Sequence, residues 1–224
     1  MINTIAKLLH WAPRTSAAFD SWAETYESDA RNMISGRGYS YAEMASAVLE
    51  AVRSKPSMSV LEIGTGPGNL GKEIVAATPA IKLSGVDISE CMLALAEQKG
   101  IYRTIVRASA ERLPFSSGEF DAVYTAFMLH SVLNQERALT EIYRVLRPGG
   151  RAALIDLCPA NEEQTFIRGL LHSVRREYGA PARYRPVEDY INLAADRGFE
   201  MLEVQQLGEA RKYLHYLVAL QRPT

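Results

Sequence analysis

An acid followed by three glycines, then an aspartate and a histidine farther along, are the residues of this chain whose types and spacing can do chemistry. Glu62-x-Gly64-Thr65-Gly66-x-Gly68 continues an apolar run of Val60, Leu61 and Ile63 and precedes Leu70, Ile74 and Val75 at helical spacing. That order predicts a buried parallel strand, a tight turn and a helix, and the glycines let main chain approach a ligand where a Cβ would collide. A ligand held there lies at the carboxyl end of a strand and the amino end of a helix. Asp87 ends a second strand-like run, Ile81-Lys-Leu-Ser-Gly-Val. A carboxylate at that place can accept from two ribose hydroxyls, charge-assisted bonds of about 1.5–3 kcal/mol each, or can cap the helix that Ser89 opens. His130 follows a third run, Phe120 to Phe127. It can take a proton from an acceptor hydroxyl or amine, line the site, or pack under a loop bonded to backbone.

Two ligand classes use such a turn. Gly66-Pro-Gly-Asn-Leu-Gly71 satisfies G-x-G-x-x-G, with Asp87 near the offset of about 20 residues at which a dinucleotide site expects its ribose acid. The other register places Glu62 two residues before the first glycine, where a carboxylate repels a pyrophosphate but suits a cationic, amino-acid-bearing ligand. In that register the residues resemble the first motif of the class I S-adenosylmethionine-dependent methyltransferases.

Further segments carry the resemblance, in order, from Phe19 to about Leu220. Phe19-Asp-Ser-Trp-Ala-Glu-Thr-Tyr-Glu27 resembles the segment that precedes the first strand in the ubiquinone- and menaquinone-biosynthesis type, where the tyrosine helps close the cofactor site. Tyr26 is its counterpart here, although Phe19, Trp22, Ala23 and Tyr26 also fit an ordinary packing stripe. Ser109-Ala-Glu-Arg-Leu-Pro-Phe115 resembles the family's adenine-binding run, with Ser109 in place of the acid and the Ala110 backbone N–H retained. A hydroxyl there is a neutral, weaker acceptor. Tyr143-Arg-Val-Leu-Arg-Pro-Gly-Gly150 resembles the family's junction into the fifth strand, a structural feature that dinucleotide dehydrogenases do not characteristically carry. The resemblance implies that Glu62, Gly64, Thr65, Gly66 and Gly68 hold the methionine portion, Asp87 the ribose, and Ile88, Ser109 and Ala110 the adenine. His130 is the candidate base.

The elements that must position these groups follow from periodicity and from the same resemblance. The expected fold is α/β, a Rossmann-like seven-stranded, mostly parallel sheet with helices on both faces, an antiparallel C-terminal hairpin and an N-terminal helical cap. One domain over 1–224 is expected, with 1–54 as the cap and 160–198 as a helical insert over the acceptor site. Ser40-Tyr-Ala-Glu43 is a capping box, Gly36-Arg-Gly38 a hinge between cap helices, and Glu200–Leu207 with Tyr213–Leu220 a pair of alternating strands. Arg168, Arg175, Arg176, Arg183 and Arg185 crowd the insert but are offset by acids, so a solvated face competes with an anion contact; His172 and Tyr178 are weaker contact candidates.

A net charge of -1 gives no footprint for nucleic acid, and no run approaches the ~20 apolar residues of a membrane span. Cys91 and Cys158 lack any paired or metal-binding spacing, which suits a reducing cytoplasm and predicts no metal site. The N-terminus reads as unprocessed. A small-molecule acceptor is expected, and a homodimer is left open. The implied activity is methyl transfer from S-adenosylmethionine to an oxygen, nitrogen or carbon nucleophile. The alternatives are the same fold and cofactor site used for cyclisation or rearrangement, a nicotinamide-dependent oxidoreductase, and a non-catalytic binding subunit.

Overall fold

The structure, a computed structural model, describes residues 2–159, 183–209 and 213–224, and their side chains from Ser16 onward except at Pro159 and Tyr213. Within these residues a seven-stranded sheet contains β1 (Ser59–Ile63), β2 (Lys82–Asp87), β3 (Thr104–Arg107), β4 (Phe120–Ala126), β5 (Leu146–Pro159), β6 (Glu200–Leu207) and β7 (Tyr213–Gln221). The order is β3-β2-β1-β4-β5-β7-β6, parallel through β5, with β7 antiparallel to both β5 and β6. The chain enters at the centre, steps outward to β3, and returns to the opposite flank of β1. The expected sheet and hairpin are therefore present, and the topological switch falls between β1 and β4.

Strand alternation sorts the apolar residues into two cores, because successive side chains leave a strand on opposite faces. Val60, Ala122, Tyr124, Ala153 and Ile155 pack on one face with α2 (Tyr41–Ala51) and α3 (Asn69–Ala77), through Met44, Val48, Leu70 and Ile74. Leu61, Ile63, Val123, Ala152 and Leu154 pack on the other with α5 (Gln135–Val145) and a later helix, Val187–Ala195, through Leu139, Ile142, Tyr190 and Ala194. That later helix is α6; α1 is Ile2–Ser35 and α4 is Glu90–Glu97. Among the described residues no helix is long and apolar enough to cross a membrane.

Local signals set the helix ends. Ser40 and Glu43 form the reciprocal capping box, Ser89 accepts from the Met92 N–H, and Asn134 accepts from the Arg137 N–H. Helix α4 runs to Glu97, and Gly100 follows at φ +64° with its N–H donating to the Glu97 carbonyl. The turn 36–38 is tied to the end of β6, where the Glu209 N–H donates to the Arg37 carbonyl. β5 starts as early as Leu146, because Phe120 pairs with Leu146 before a register shift that resumes at Ala122 and Arg151. Arg144 explains why the Leu-Pro-Phe and Arg-Val-Leu segments occur together. It grips Glu141 and donates to the carbonyls of Leu113 and Phe115, while Glu141 accepts from the Leu113 N–H. The pattern over 161–178, with Arg168, His172, Arg175, Arg176 and Tyr178, lies outside the described residues.

Gly71 and Gly85 are packing positions. A Cβ on Gly71 would come within 2.6 Å of Tyr102 Oη and 2.7 Å of Glu62 Oε2, and one on Gly85 within 2.6 Å of the Thr65 methyl. Gly71→Ala is expected to destabilise the chain by about 1–3 kcal/mol, the usual cost of overpacking, measured as a lower urea midpoint at unchanged slope.

Candidate active site

The glycine loop leaves β1 at its carboxyl end. Gly64 has φ +76°, and a Cβ there would lie 2.5 Å from Met128 Cγ, so both backbone angle and space demand glycine. The Gly64 and Thr65 N–H groups donate to the Val86 carbonyl, which stitches the loop to β2. Asp87 then closes the corner: Oδ2 accepts from the Gly66 N–H at 2.8 Å and Oδ1 from the Ser89 N–H at 2.9 Å. Burial raises its pKa, opposed by those backbone bonds. The same acid thus fastens the loop, supports the start of α4 and faces the cleft.

A cleft open to solvent lies there, at the carboxyl ends of β1, β2 and β4. Its wall includes Gly64 and Gly66, Asp87 and Ile88, Met92, Ala108 to Glu111, Ala126 to Met128, and Ser131 to Leu133. Phe19 and Tyr26 of α1 complete it, and the Tyr26 ring lies 3.6 Å from where a Gly66 Cβ would stand. Ser109 and Ala110 are in the wall, with Ser109 Oγ accepting from the Glu111 N–H at 3.2 Å. The cap is pinned by Asp20, whose Oδ1 accepts from Ser89 Oγ at 2.5 Å and the Cys91 N–H at 3.2 Å; Ser16 Oγ adds a bond to the Ile88 carbonyl at 3.1 Å.

Glu62, Thr65, Gly68 and His130 are not among the wall residues. Glu62 lies beneath the loop, 2% exposed, where it accepts from Tyr102 Oη at 2.6 Å. Burial pushes its carboxyl up to about 8, against the opposing effect of the Tyr102 bond. Thr65 donates to the Gly66 carbonyl and sets its methyl against Gly85. Gly68, at φ +80°, is the N-cap of α3 and abuts Tyr102.

His130 sits in a single 3₁₀ turn, Leu129–Ser131, directly after β4. Its Nδ1 is 2.6 Å from Asp156 Oδ1, and its own N–H donates to Asp156 Oδ2 at 2.9 Å. The ring stacks on Tyr184 with centroids 5.1 Å apart. Buried Gln135 anchors this corner: its Nε2 donates to the carbonyls of Leu129 and Arg183 and to Tyr190 Oη.

Sequence reasoning missed Asp156, Asp20, Tyr102 and His215. An acid inside the apolar run Ala152 to Cys158 was a readable signal for Asp156, since such a group is buried only with partners. Tyr102 and Asp20 gave none, because their partners are 40 and 69 residues away. His215, 1% exposed on β7, is hydrogen-bonded through Nδ1 to Tyr39 Oη and packs against Phe127 of the cleft wall.

The residues present fit a methionine-bearing nucleoside: a cradle too close for a Cβ, an acid at a strand end, and the apolar Ile88 and Met92 beside it. Comparison with known proteins agrees. Residues 61–154 match the family model described as a methyltransferase domain. The ubiquinone/menaquinone biosynthesis C-methyltransferase UbiE of Geotalea daltonii is 30% identical over 157 residues, covering 67% of this chain and just under two thirds, 66%, of that relative. An S-adenosylmethionine-dependent methyltransferase structure from Thermotoga maritima superposes with TM-score 0.69 at 20% identity, covering 92% of this chain and 99% of the other. The 4+2 cyclase SpnF superposes with TM-score 0.68 at 17% identity, covering 82% of each chain. Residues 61–154 thus match a methyltransferase domain, the fold is that of S-adenosylmethionine-dependent methyltransferases, and S-adenosylmethionine is the cofactor that match and fold imply.

Burial, with the Arg37 and His130 charges in support, lowers the pKa of His215 from 6.5 to about 3. The folded chain holds this imidazole neutral, whereas the unfolded chain binds its proton below 6.5. Stability is therefore present above 6.5 and declines as pH falls toward about 3, by up to about 1.4 kcal/mol per pH unit. In urea titrations across that window, His215→Gln should show a shallower pH slope than the parent.

Proposed function

We propose that this chain transfers the methyl group of S-adenosylmethionine to a nucleophilic atom of a small molecule. The observation that carries the reading is one cleft at the topological switch that joins a glycine cradle, the Asp87 carboxylate and an apolar wall, with His130 in the turn at its edge. When bound, the cofactor supplies an electrophilic methyl on a sulfonium. The protein's own part is to hold the reactants in line, exclude water and take up a proton.

Gly64, Thr65, Gly66 and Gly68 shape the methionine end of the site, with Glu62 beneath them. Asp87 takes the ribose, and Ile88, Ser109 and Ala110 the adenine. Tyr26 closes over the loop from the cap, and His130 is the base. Residues 1–224 act as one domain in the cytoplasm, 1–54 capping the cofactor and 160–198 covering the acceptor. The name of the Geotalea relative supports a carbon acceptor on a quinone precursor, and the apolar Phe19, Phe127, Met128, Val132 and Leu133 suit a flat ring.

A second reading keeps the cofactor site for cyclisation, favoured by the superposition on SpnF. Formation of S-adenosylhomocysteine in step with product separates the two, since turnover without it would exclude methyl transfer. Calorimetric titration with S-adenosylhomocysteine, with NAD as comparison, should give one-to-one micromolar binding of the former alone. Asp87→Ala should weaken that binding about ten- to a hundredfold through loss of charge-assisted bonds, and unchanged affinity would remove Asp87 from the site.

A further inference from the structure

Asp156 stands in a strand whose neighbours, Ala152 to Leu154, Ile155, Leu157 and Cys158, are all apolar and buried, and it is itself 0% exposed. Both of its oxygens are engaged at one corner. Oδ1 meets His130 Nδ1 at 2.6 Å and accepts from the Leu157 N–H at 2.9 Å, while Oδ2 accepts from the His130 N–H at 2.9 Å. One carboxylate therefore holds both the main chain and the ring of the same histidine. An ionised carboxylate only accepts, so the ring must present Nδ1–H to it. The stack on Tyr184 fixes the ring plane from the side. Nε2 is left with a lone pair and no partner among the described residues.

We propose that Asp156 is a positioning residue that locks His130 in the tautomer whose Nε2 takes the proton of the methyl acceptor. The inference rests on the methyltransferase reading above. As the acceptor attacks, its bond to the methyl carbon forms, and the carbon–sulfur bond breaks with its electron pair left on sulfur. The acceptor's proton passes to Nε2. The imidazolium so formed lies against the opposite charge of Asp156 until water removes the proton. The acceptor is accordingly a protic nucleophile, with a hydrogen to lose on or conjugated to the attacking atom. A thioether or tertiary amine, which has no such proton, would make no use of the pair.

The test is a two-bond ¹H–¹⁵N correlation spectrum of the full chain labelled at its four histidines, with His130 assigned by His130→Ala. The parent should show a protonated Nδ1 and a bare Nε2 at His130; a protonated Nε2 overturns the proposal before any Asp156 variant is made. In Asp156→Asn, whose amide can donate as well as accept, the single tautomer should give way to a mixture, while S-adenosylhomocysteine affinity changes less than about threefold. With a naphthohydroquinone as acceptor probe, kcat should fall about a hundredfold or more with KM little altered. An unchanged tautomer or an unchanged kcat sinks the proposal. Failure of the parent chain to bind S-adenosylhomocysteine would strike the methyltransferase reading instead, and the tautomer measurement would stand apart from it.

Discussion

The hydrogen bond from Tyr102 Oη to the buried carboxyl of Glu62 sits where the glycine loop, α3 and the two central strands meet. Glu62 comes from β1, and the tyrosine arrives from the segment between α4 and β3. The phenol ring packs into the spaces left by Gly68, Gly71 and Gly85, so one side chain ties β1, β2 and the start of α3 together. Burial without that partner would leave a polar group unpaired in the core, a loss of about 1–3 kcal/mol. With it, Glu62 carries its proton through much of the neutral range and the loop above it has a fixed floor. This arrangement also accounts for the accidental dinucleotide pattern. Two of the three glycines in Gly66-x-Gly68-x-x-Gly71 make room for Tyr102, a packing demand with no bearing on a pyrophosphate.

Above that floor, Asp87 performs three tasks with two oxygens. It restrains the Gly66 amide, supports the Ser89 amide at the start of α4, and faces the cleft with lone pairs to spare. The cap is fastened to the same corner, because Asp20 accepts from Ser89 and Cys91. Cofactor loop, strand end and cap therefore share one small network of short bonds, and movement of any member disturbs the others. On the far side of β1, Asp156 does comparable work for the turn that carries His130. The cleft thus lies between two carboxylates that are each bound to backbone and each placed at the end of a parallel strand.

The fold was largely legible from sequence because its signals are local. Apolar runs of strand length, Ser40, Ser89 and Asn134 as caps, and the Arg-Pro-Gly-Gly junction each act over a few residues. Seven strands and a final hairpin follow from them together with the family resemblance. The strand ends are less legible: β5 begins as early as Leu146 because Phe120 finds Leu146 across a register shift that no composition announces. In the site, Gly64, Gly66, Asp87, Ile88, Ser109, Ala110 and Tyr26 were named from motifs, and all of them meet at the cleft.

What the sequence determined by itself was the order of elements and the residues with the right chemistry at strand ends, since strand period, turn chemistry and motif spacing are short-range properties; the class of cofactor came from the family resemblance. Tertiary structure alone decided which way those side chains face and what they touch. It turned Glu62 downward onto Tyr102, set His130 against Asp156 rather than into the wall, and buried His215 against Tyr39, 176 residues away. The physical reason is that a buried polar group takes its partner from whatever the sheet order brings beside it. Such partners are neighbours in space long before they are neighbours in any pattern a linear reading can detect.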